Sequence, residues 1–177
     1  NINAALNINA GTELDIINNI FVNTSTTGTP YAVYSNVSAS SFSNIDYNDY
    51  YSARHIGFLG SNRTTLANWQ TATTKDRNSI NVIPTFVSIS DLHLSGTNAA
   101  FDDKGTPLAL ITTDIDEESR SITAPDMGAD EYNKCKTSST WNGTNWSNGT
   151  PTISIKAIIN GTYNTQNHGN ITTCELV

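Results

Sequence analysis

The chain has 177 residues, of which 14% are charged and 37% hydrophobic, and its formal net charge is −7. Its 23 Asn, 25 Thr and 18 Ser make neutral polar residues the dominant class, which favours strands and tight turns over long amphipathic helices. The balance excludes charge-driven disorder and a nucleic-acid partner, which needs a cationic footprint, and no stretch reaches the roughly 18 apolar residues of a membrane-inserting helix.

Residues 1–50 carry a faint repeat. Asn18-Asn19-Ile20-Phe21-Val22-Asn23 is similar to Ser43-Asn44-Ile45-Asp46-Tyr47-Asn48, with Asn19 and Asn44 25 residues apart. Such periods point to stacked architectures. Leu14, Ile16, Ile20 and Val22 alternate with polar residues, the pattern of a strand with one buried face, although polar Asn18 and Ser35 fall on the buried register. A parallel β-helix explains both facts. Each strand pairs with its equivalent one coil away, and Asn at inner corners stacks in a ladder. The expectation is that Ile20 and Ile45 are equivalent inward positions and that Asn19 lies beside Asn44. Tyr47, Tyr50 and Tyr51 follow at the end of a coil. Aromatic rings beside Asn and Asp can stack on sugars, so these three are the candidate ligand-binding residues, with packing at the coil edge the plainer alternative.

Residues 61–79 break the strand rhythm. Thr64 or Thr65 caps a short helix through Leu66, Trp69 and Thr73. Phe86, Val87, Ile89, Leu92 and Leu94 form a second apolar region, and Leu108–Ile111 reads as a short buried run. A boundary falls near Tyr132. Beyond it, Trp141-Asn142-Gly143-Thr144-Asn145-Trp146 has an Asn-Gly hairpin signal that places the two indoles across the turn. Ile153, Ile155, Ala157 and Ile159 alternate as a half-buried strand, and Ile171, Cys174 and Leu176 belong to a last one.

Asp114-Ile115-Asp116-Glu117-Glu118-Ser119-Arg120, followed by Pro125-Asp126-Met127-Gly128-Ala129-Asp130-Glu131-Tyr132, resembles the closing segment of right-handed parallel β-helix proteins of secreted and surface-attached bacterial origin. The resemblance covers roughly residues 14–132 and departs at Glu117, where the family usually has Gly. It implies that residues 1–132 are the C-terminal coils and closing cap of such a helix, with the cap lying over the last coil. It also implies that 133–177 open a second β-rich module, which stops short. The fold class expected is all-β: a right-handed parallel β-helix plus a short hairpin-rich C-terminal segment.

The chemistry candidates are few. Asp114 and Asp116 are weak calcium candidates, since hard cations want clustered oxygens. The preferred reading is a structural turn in which Asp114, Asp116, Arg120, Asp126 and Gly128 form the cap, with Arg120 pairing Asp116 or Asp126. Asp102-Asp103 does not make a glycosidase acid/base pair, because adjacent strand residues face opposite ways. His55, His93 and His168 are too scattered in sequence for a metal motif. No catalytic residue is assigned. Cys135 and Cys174 form a disulfide or remain two buried thiols; the spacing leaves both open. Eight Asn-X-Ser/Thr sequons argue only weakly for glycosylation in so Asn-rich a chain. The reading is a non-enzymatic structural or adhesive region of a secreted or cell-surface bacterial protein. It would contact a polysaccharide or cell-surface glycan and the remainder of its own larger chain. The alternative is the tail of a polysaccharide lyase or glycoside hydrolase whose active coils lie upstream.

Overall fold

The alternation from Leu14 to Val22 is realised as two short strands, β2 (Leu14–Ile17) and β3 (Ile20–Asn23), because the backbone turns at Asn18. Asn18 has φ 60°, in the left-handed region that Asn tolerates better than most residues. A computed structural model describes residues 2–95, 98–132, 135, 137–152, 155–174 and 176–177. Among the described residues the protein is mostly strands with two short α-helices, and neither helix is long and apolar enough to cross a membrane. It divides into two units, Asn1–Tyr132 and Asn133–Val177.

In the first unit, β1 (Asn3–Ile8) precedes β2 and β3. The sequence then lays down β4 (Pro30–Ser35), β5 (Phe42–Asp46) and β6 (Asp49–Ser52), followed by β7 (His55–Leu59). Pairing is parallel between sets: β1 with β4, β4 with β7, β2 with β5 and β3 with β6. The register differs from the sequence expectation. Ile45 pairs with Ile16, Asn44 with Asp15, and Asp49 with Ile20. Both alignments keep the same in–out parity, so hydrophobic alternation alone does not separate them. The corner does: Tyr47 has φ 55°, matching Asn18, so the residue after each corner is Asn19 in one set and Asn48 in the next.

Side chains extend this register. Asn48 is fully buried, and its Oδ1 accepts from the Asn19 backbone N–H at 2.9 Å and from Asn19 Nδ2 at 3.1 Å. The Asn48 backbone N–H donates to Ser79 Oγ at 2.8 Å, which carries the polar column one step further. Asn36 donates to Asn9, and Asn44 to Asp15. Phe21 stacks on Tyr50, Tyr31 on His55 and Tyr34 on Phe58. Ala32, Val33, Phe42, Ile45, Tyr50, Ile56 and Trp69 form the core of this region.

Beyond β7 the pairing changes sense. β8 (Ser61–Arg63) is antiparallel to β7, and α1 (Leu66–Thr73) follows. Thr65 is its N-cap, accepting from the Asn68 N–H. Trp69 is fully buried, and Gly57 leaves the room it needs: a Cβ there would sit 2.5 Å from the indole. β9 (Phe86–Ser88) and β10 (Asp91–Leu94) make an antiparallel hairpin whose apolar tip is exposed at Val87, Ile89 and Leu92, while Leu94 is buried.

The closing segment reaches back as far as the first strand set. Gly128 donates its N–H to the Asn18 carbonyl at 2.8 Å, and the Asn18 amide exchanges hydrogen bonds with the Thr106 backbone. Met127 packs with Leu94, Phe101, Ile20 and Ile80. The segment therefore lies against the β2–β3 corner and the β3 side of the stack. Leu108–Ile111 is not buried either: Leu110 is 94% and Ile111 54% exposed.

In the second unit, β11 (Thr137–Trp141) and β12 (Ile155–Ile159) pair in parallel. The Asn142–Asn145 turn closes with a single antiparallel bridge between Trp141 and Trp146, whose rings are 5.6 Å apart. Tyr163 and His168, the latter in α2 (Thr165–His168), complete an aromatic cluster around Trp141. Cys135 and Cys174 are joined by a disulfide. Leu176 contributes one bridge to Ala157, and Ile153 falls outside the described residues.

Candidate functional site

The polar chemistry of the first unit concentrates around the 114–131 turn. Asp114 clamps it: Oδ1 accepts from the N–H groups of Asp116 and Glu118, and Oδ2 from Glu131 N–H. Burial opposes its charge, but these donors outweigh burial and hold its pKa below the usual value. With both oxygens spent on backbone, Asp114 acts as a turn clamp. Glu117 takes the left-handed conformation, φ 65°, that Gly would adopt without strain.

Arg120 is nearly enclosed, with 7% of its side chain exposed, and its partners differ from those expected. Nε faces Glu131 Oε2 at 3.4 Å, Nη1 donates to the Gly128 carbonyl at 3.0 Å, and Nη2 donates to the Asp126 carbonyl. Neither the Asp116 nor the Asp126 carboxylate pairs with it. Asp126 instead accepts from the Asp103 N–H through Oδ1, and burial raises its pKa to about 7. Asp103 itself sits in a turn at φ 58°, not on a strand.

Three residues far apart in sequence meet beside this turn. His93 on β10, Asp116 and Asp130 bring one ligand atom each to within 4.8 Å of one another. Asp91 contacts the ring Nδ1 of His93, and Asp116 Oδ2 lies 3.0 Å from Nε2. The hydrogen bond to Asp91, then that to Asp116, raises the His93 pKa to about 9. No spacing in the sequence signals this group; the hairpin fold brings β10 to the closing segment.

The tyrosines take separate places. Tyr50 is fully buried, stacked on Phe21, with its hydroxyl donating to Asp76 at 2.8 Å, so it presents no ring face to solvent. Tyr47 packs with the Leu94–Phe101–Met127 cluster, and Tyr51 is half-buried on β6. Tyr34 and Phe58, half-exposed like Tyr51, stack 4.5 Å apart. A groove of about 830 Å³ runs between the β2–β3 corner and the closing segment, lined by Ile17, Asn18, Leu108, Ile111, Arg120 and Ile122, among others. No protein-family model, no curated protein and no solved structure matches the chain.

Proposed function

We propose that residues 1–132 are coils and closing segment of a right-handed parallel β-helix, in a structural or adhesive region of a secreted or cell-surface bacterial protein. The observation that carries this reading is the parallel pairing of successive strand sets, with side-chain columns such as Asn19–Asn48–Ser79 in the same register. A Cys135–Cys174 disulfide suits an oxidising compartment. A non-enzymatic role is supported by how the carboxylates are used: Asp46, Asp49, Asp114 and Asp126 each accept from backbone N–H groups. Contact with a polysaccharide would fall to the half-exposed Tyr34–Phe58 stack, because aromatic faces suit sugar rings.

The test incubates the chain with pectin, alginate and chondroitin and follows unsaturated and reducing ends. No release is expected, while Tyr34→Ala should weaken retention on an immobilised polysaccharide. Turnover that disappears in Asp102→Asn or Asp103→Asn would overturn the non-enzymatic reading and favour a lyase or hydrolase.

A further inference from the structure

His93, Asp116 and Asp130 reach one point from β10, from the turn at 114–118 and from the end of the closing segment. Two features set them apart from a patch of surface acids. The imidazole contributes a nitrogen donor, its Nε2, which faces Asp116 Oδ2 at 3.0 Å. The ring is also held from behind. Asp91 takes Nδ1 and accepts the His93 backbone N–H at 3.2 Å, which aims Nε2 at the two carboxylates. A carboxylate on the far nitrogen is the usual support of a metal-bound imidazole. Asp130 is fixed as well, its Oδ2 accepting from Leu94 N–H at 2.7 Å.

We propose that His93, Asp116 and Asp130 form a site for a first-row divalent cation, best suited to Zn²⁺, with Asp91 as the outer partner of the imidazole. One nitrogen and two carboxylate oxygens match the donors Zn²⁺ takes at about 2.0–2.2 Å. Ca²⁺ takes six to eight oxygens and gains nothing from the ring nitrogen. A tetrahedral Zn²⁺ holds its donors roughly 3.4 Å apart; His93 Nε2 and Asp116 Oδ2 already stand 3.0 Å apart, and no pair of donors is wider than 4.8 Å, so the adjustment required is small. Asp116, 55% exposed, has the freedom to move. The bound ion ties the β9–β10 hairpin to the closing turn, reinforcing the Leu94–Asp130 hydrogen bond and the Leu94–Phe101–Met127 cluster that already join them.

The experiment uses the full chain stripped with EDTA and titrated calorimetrically with ZnCl₂ or CaCl₂. Saturable uptake of a single Zn²⁺ is expected, weakened roughly 10-fold or more in Asp116→Asn, His93→Gln and Asp91→Asn. With each protein compared to its own melting temperature in EDTA, the wild type should gain stability on adding Zn²⁺ and Asp116→Asn should not. Absence of saturable Zn²⁺ uptake by the wild type would overturn the proposal. So would uptake that survives unchanged in both Asp116→Asn and His93→Gln, which would place the ion elsewhere, for instance at His55 or His168. Calcium binding as tight as zinc binding would overturn the choice of ion.

Discussion

Asp49 occupies a position whose neighbours in register are apolar, Ile20 on one side and Ile80 on the other. It is fully buried; Oδ1 accepts from Val82 N–H at 2.8 Å, and Oδ2 has no partner. Burial outweighs the backbone donors and raises its pKa to about 7. The folded pKa thus lies above the unfolded value, so the neutral form favours the fold. Between about pH 4 and pH 7 the unfolded chain has shed a proton that the native chain retains, and stability falls as pH rises through that window. Asp126 acts in the same direction. Asp49→Asn keeps the acceptor for Val82 and removes the ionisation. It should match the wild type at pH 4 and exceed it at pH 8 by roughly 2–4 kcal/mol, read from urea unfolding. Equal pH slopes for the two proteins would reject the assignment.

At the scale of elements, the sequence makes some features plain and hides others for physical reasons. Thr65 with Leu66 and Trp69 marks α1, because capping and i, i+3 spacing are local signals. The register of β2 on β5 was hidden, since a shift of four residues preserves alternation and only the left-handed corners at Asn18 and Tyr47 decide it. Leu108–Ile111 has the composition of a buried strand, yet it lines a groove and leaves Leu110 exposed. The His93–Asp116–Asp130 group was likewise illegible, being assembled by three separate segments. How α1 closes on β7 was equally invisible in sequence, because it rests on the missing side chain of Gly57. The Trp69 indole lies where a Cβ would be, within 2.5 Å, and its Nε1 donates to Asp76 at 2.7 Å. Gly57→Ala must push that ring aside and break this bond, so a loss of about 1–3 kcal/mol with a weakened near-UV signal is expected. A melting temperature within a degree of wild type would show that α1 shifts freely on β7.

The two units solve the same shortage of apolar residues in different ways. In Asn1–Tyr132, hydrogen-bonded and aromatic columns repeat across paired strands, so the abundant Asn and Ser are satisfied within the stack rather than left as buried orphans. Asn133–Val177 is too short to bury a large core. Among its described residues the buried apolar centre is Trp141 and Ala157, with Trp146, Tyr163 and His168 packed around Trp141. A disulfide that spans 39 residues of sequence, nearly the whole unit, restricts the unfolded chain most where the folded core is smallest. Reduction is therefore expected to destabilise this unit by about 2–5 kcal/mol. The thermal transition that carries the Trp141–Trp146 signal should move down in dithiothreitol, and Cys135→Ser with Cys174→Ser should reproduce the shift without reductant. A transition that stays in place under both treatments would show that the aromatic cluster holds the unit without the bridge.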